Sequence, residues 1–174
     1  MALGTALVGA SCGSGDGERV FDTMSAAMEK VIARIEKDSS WTTAAGGGFE
    51  VRGTLANAQG GEARVTSGWR SGGQYEAQGG TYAAFAEKLF VTLTSWTDED
   101  INLTGRVVMT RHSMDLARPD STDVSQTTVF DADLTAAGSV SGTFTIEVHN
   151  LAAGDLGWSC GTINDDPYGQ GACY

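Results

Sequence analysis

Lysine and proline are close to absent from this chain, with three and two copies among 174 residues. The arginines are scattered singly, and a formal net charge of -11 with a pI near 4.4 repels a phosphate backbone, so no nucleic-acid partner is expected. The same charge disfavours an anionic bilayer, which leaves a covalent anchor as the expected route to a membrane. Histidine is limited to His112 and His149, neither at ligand spacing from a cysteine, so no zinc site is expected, and the acidic turns do not match the Asp-x-Asp-x-Asp-Gly calcium loop, so no metal is assigned. No Gly-x-Ser-x-Gly elbow accompanies the many serines, and neither histidine has an obvious carboxylate partner in sequence. No catalytic residue and no cofactor are therefore assigned.

Glycine, by contrast, is abundant. Its 24 copies suit many tight turns between short strands better than a helical bundle, and the length suits one domain with its own core. Only one segment has helical periodicity: over 18–38 the apolar residues Val20, Phe21, Met24, Met28, Val31, Ile32 and Ile35 form a single stripe, which predicts an amphipathic helix packed on a sheet. After a linker at 41–48 the period becomes two. Phe49, Val51 and Leu55 alternate with polar residues, and Gly60-Gly61 turns the chain into Ala63, Val65 and Trp69, alternating with Arg64, Thr66 and Arg70. Further strands are read around Tyr75, over 81–96 with an irregular start, and over 101–109. A polar loop is read at 113–125, a hairpin over 127–134 and 140–148, and a last short strand at Cys160.

A glycine recurs mid-strand at Gly53, Gly105, Gly142 and Gly161, each with an apolar residue two positions later. Glycine weakens a strand interior, so the recurrence suggests a use, either bending the sheet or letting a bulky neighbour cover bare backbone. The expected fold is mainly β: a curved antiparallel meander, as an up-and-down barrel or half-barrel or alternatively a sandwich, with one N-terminal helix over an open end or face.

Residues 1–11 are small and apolar, end at Cys12, and precede the polar stretch Gly13-Ser14-Gly15-Asp16-Gly17. That order resembles the end of a bacterial lipoprotein signal peptide, with Gly9 where leucine is usual and no basic residue ahead of the run. The resemblance implies lipidation at Cys12, with 1–17 as signal and tether and 18–174 as the β domain. The run itself is too short to span a bilayer. In an exported chain, a Cys160–Cys173 disulfide would close a small C-terminal loop and stabilise it by roughly 2–3 kcal/mol. Two free thiols in a cytosolic protein are the alternative.

Asp131 and Asp133 lie two apart on a strand and are expected to face solvent, while 98–100 and 165–166 are acidic turns. Gly46-Gly47-Gly48 precedes a strand rather than a helix, so it lacks the device of a phosphate loop. Trp69, Trp96 and Trp158 fall near strand ends or turns, where tryptophan either stacks on a ligand or caps the core. These features favour a non-catalytic, extracytoplasmic, lipid-anchored domain with a structural or protein-binding role. A carrier or sensor of an apolar small molecule in a barrel interior is the second expectation, and a carbohydrate-active enzyme the third.

Overall fold

The computed structural model describes residues 14–77, 80–117, 124–153 and 156–169. The helix α1 spans Ser14–Lys37, so its first turn takes in residues assigned above to the tether. Among the described residues a 3-10 turn, Ser39–Trp41, follows, and then ten strands: β1 Thr42–Ala45, β2 Gly48–Val51, β3 Gly53–Ala56, β4 Glu62–Ala77, β5 Gly80–Asp98, β6 Ile101–Ala117, β7 Val124–Gly138, β8 Gly142–Ala153, β9 Leu156–Ile163 and β10 Asp166–Gly169. All pair antiparallel in one sheet of order β1-β2-β4-β5-β6-β7-β8-β9-β10, with β3 also on β4. The sheet is mainly β with one N-terminal helix, as expected. It does not close, so of the expected forms the full barrel and the two-sheet sandwich are set aside.

Several segment readings shift. The linker at 41–48 is in fact the β1–β2 hairpin, turned by Gly46 and Gly47 at φ +52° and +85°. Of the polar loop read at 113–125, residues 113–117 belong to β6 and 124–125 to β7, and 118–123 lie outside the described residues. A tenth strand begins within the acidic turn expected at 165–166: Asn164 and Asp165 both adopt positive φ and reverse the chain into β10.

The helix buries one stripe. Val20, Phe21, Met24, Ala27, Met28, Val31 and Ile35 are all buried against one face of the sheet, here called the inner face, and Ile32 packs at its margin. Each such side chain stabilises by roughly 1.5–3 kcal/mol before the entropy of ordering it. Phe21 meets the ring of Phe130 on β7 edge-on at 5.7 Å and that of Tyr168 on β10 at 5.1 Å. Charges fix the helix from its flanks: Arg19 pairs with Asp100 at 3.1 Å and donates to Ser139 Oγ at 2.9 Å, and Lys30 lies 3.8 Å from Asp98.

Of the two uses read for mid-strand glycine, cover of bare backbone by a bulky neighbour is seen. At Gly53 a Cβ would fall within 2.5 Å of the Trp41 ring, which covers the bare backbone. At Gly105 and Gly161, with φ +150° and +145°, a Cβ would strike the carbonyl oxygens of Asp133 and Glu147 on the neighbouring strand. Gly142 opens β8 and Gly53 opens β3, so neither sits within its strand.

Two bulges decide which side chains face in. On β4 the register against β5 slips between Val65 and Ser67, and on β5 the register against β6 slips between Leu93 and Trp96. One extra residue moves everything beyond it to the opposite face.

Candidate functional site

Past the first bulge the alternation along β4 is inverted: Trp69, in phase with Ala63 and Val65 by sequence, turns to the outer face, and Arg70 turns inward. Arg70 Nε donates to Glu87 Oε1 at 2.8 Å. Glu87, on β5, is wholly buried and also lies 3.1 Å from Arg111 Nη2 on β6. Both guanidiniums stand over the Phe85 ring, at 5.2 and 4.9 Å from its centroid. The helix adds a fourth charge, Glu36, at 3.6 Å from Arg111 and 3.9 Å from Arg70. Two cations and two carboxylates thus meet between the end of α1 and the inner face.

No step of the sequence reading singled out this cluster. A signal was present: Glu87 shares its phase with Leu89, Val91 and Leu93, and Arg111 with Val107 and Met109, so charged residues stand in the apolar series of two adjacent strands.

Beside the cluster a cavity of about 430 Å³ runs between α1 and strands β6, β7 and β8. Met28, Ile32, Met109 and Phe130 form its apolar wall, and Glu36, Arg111, Gln126, Thr128 and Asn150 supply polar groups. Asn150 Oδ1 accepts from Ser159 Oγ at 2.8 Å.

The three tryptophans do not converge. Trp96 is fully buried against the helix, because Ser95 at φ +48° accommodates the second bulge and swings the ring inward, with Lys30 Nζ 5.6 Å from its centroid. It is a core residue and offers no ligand surface. Trp69 is 45 % and Trp158 39 % exposed, on strands β4 and β9 at opposite sides of the sheet. Next to Trp69, Lys88 occupies the paired position on β5, and Phe90, two residues on, is 40 % exposed with Lys88 Nζ 5.3 Å from its centroid. Glu50 on β2 pairs with Trp69 from the other side. An aromatic pair flanked by opposite charges therefore lies on the outer face.

Asp131 and Asp133 are exposed on that same face, as expected. His112 and His149 sit on β6 and β8 with β7 between them. Asp98 and Asp100 are engaged with Lys30 and Arg19, and the Asp100 carboxyl is held below its usual range, first by the Ser139 hydroxyl and then by Arg19. Among the described residues no group of three or more His, Cys, Asp or Glu side chains is arranged to hold a metal ion, and no described helix is long and apolar enough to cross a membrane. Cys160 is buried and is not a free thiol. Cys12 and Cys173 lie outside the described residues.

No protein-family model, curated protein or solved structure matches the chain.

Proposed function

We propose that this is a non-catalytic, extracytoplasmic domain, held to a membrane by a lipid on Cys12, that docks a protein partner on the outer face of its sheet. The observation that carries the reading is the pair Trp69 and Phe90: two large aromatic side chains on adjacent strands, each at least two-fifths exposed, rimmed by Lys88 and Glu50. Aromatic anchors inside a polar rim are the usual anatomy of a protein interface. The core lies between the helix and the inner face, so these outer-face side chains contribute little to it.

Export is supported by the lipobox-like segment ending at Cys12 and by the absence of a free thiol at Cys160. In this reading Cys173 is the partner of Cys160, and Cys12 is the odd cysteine that carries the lipid. Intact mass of protein extracted from membranes of its native host tests the anchor. The expected species starts at Cys12 and carries added acyl mass; a chain retaining residues 1–11 contradicts it.

Docking is tested by a photo-crosslinking residue installed at Ser67, which pairs with Phe90 on the outer face, compared with one at Glu147 on the same face of β8. A discrete protein adduct is expected from Ser67 and not from Glu147. Equal yields from the two positions, or none, contradict the reading.

A further inference from the structure

The charge cluster and the cavity beside it share Arg111, and together they specify a ligand. This inference concerns the inner face and does not rest on the outer-face reading. Arg111 is one of two guanidiniums facing a single fully buried carboxylate, that of Glu87, which lies 2.8 Å from Arg70 and 3.1 Å from Arg111. The second carboxylate, Glu36, comes from the helix, is half exposed, and stops at 3.6 and 3.9 Å from the two guanidiniums. Arg111 Nε is buried and has no hydrogen-bond acceptor, whereas Arg70 Nη2 already lies 2.8 Å from Glu87 Oε1. Buried donors of this kind carry a desolvation cost until an acceptor reaches them.

From Arg111 the cavity leads away along an apolar wall of Met28, Ile32, Met109 and Phe130. Methionine fills irregular space and re-packs readily around a flexible chain. The volume, about 430 Å³, falls within the range of roughly 300–1,000 Å³ usual for small-molecule sites.

We infer that this cavity binds an amphiphile with one carboxylate head and an unbranched apolar tail, of the fatty-acid class. The head takes the place of the Glu36 carboxylate at Arg111, where the planar guanidinium presents parallel donors to a carboxylate. The tail lies along the wall of Met28, Ile32, Met109 and Phe130. Glu36 is the internal occupant of the head site and competes with the ligand. With Glu36 displaced, two guanidiniums face the single Glu87 carboxylate, which leaves one net positive charge for the anionic head.

Titration calorimetry with dodecanoate below its micelle concentration, with dodecanol and acetate as comparisons, tests the site on the full chain. Saturable one-to-one binding of dodecanoate is expected, with dodecanol weaker by about tenfold or more, since a charge-assisted hydrogen bond separates the two. Acetate, lacking the tail, is expected to give no measurable heat. Glu36→Gln, a change at a half-exposed position, is expected to tighten dodecanoate about threefold or more by removing the competing charge. Ile32→Trp, which fills the cavity from the helix, is expected to abolish binding, and Arg111→Met to reduce dodecanoate to the affinity of dodecanol. If Arg111→Met fails to fold, Glu36→Gln and Ile32→Trp decide the matter. No saturable binding to the parent chain, equal affinity for acid and alcohol, or weaker binding by Glu36→Gln overturns the inference.

Discussion

Arg70 donates to Glu87 across 2.8 Å, from a strand position whose simple alternation assigns it to solvent. The bulge at Val65/Ser67 exchanges the faces of Arg70 and Trp69, and so creates two features at once, a buried ionic cluster inside and an exposed indole outside.

Removing the central carboxylate should be costly. Glu87→Ala leaves Arg70 and Arg111 facing each other over Phe85 with only the distant Glu36 between them, and is expected to lower stability by about 3 kcal/mol. Replacing Arg70, Glu87 and Arg111 together with apolar residues of similar volume is expected to cost less than that single change, because the one charge left, Glu36, is half exposed to water. Urea unfolding of the two variants measures the difference.

Gly105→Ala is expected to destabilise by about 2 kcal/mol or more, since its backbone lies at φ +150° and its Cβ would meet Asp133 O at 2.1 Å. Gly72→Ala is the contrast. It lies on β4, its Cβ would meet nothing closer than 3.7 Å, and the change is expected to be within about 0.5 kcal/mol of neutral. Unfolding midpoints of the two variants, compared with the parent, give the result.

Acid should loosen both ends of the helix. Asp38 is held below the usual carboxylate range by the Ser40 hydroxyl and amide and by Arg34, and Asp100 by Ser139 and Arg19. Both folded-state values are depressed, so their contribution is present above the unfolded aspartate range and is lost as pH falls through the folded values. Both groups are exposed, so the effect is modest and sensitive to salt. The melting temperature of an Asp38→Asn/Asp100→Asn variant is expected to fall less steeply between about pH 5 and pH 2 than that of the parent.

The helix was legible because its 3.6-residue stripe runs unbroken from Val20 to Ile35, and every member but Ile32 is fully buried. The outward placement of Asp131 and Asp133 was legible for the same reason, an uninterrupted period of two on β7. What broke the reading was a single extra residue in each of β4 and β5. The bulged residues, Thr66 on β4 and Ser95 on β5, are themselves neither glycine nor proline, yet beyond them Trp69 turns out and Trp96 turns in. The charge cluster needs both the β4 inversion and the packing of α1 across the sheet, a long-range arrangement with no local signature beyond the misplaced phase of Glu87 and Arg111. The tenth strand was hidden because Asn164-Asp165 reads as a loop until its two positive φ values are known.

The central claim is that Trp69 and Phe90 serve binding rather than folding. Its most direct test is the Trp69→Ser/Phe90→Ser double variant, with unfolding free energy and the yield of the Ser67 adduct measured on the same preparation. The account predicts a stability within about 1 kcal/mol of the parent, as for exposed sheet positions, together with loss of the adduct. An undiminished adduct, or a collapse in stability, would contradict it.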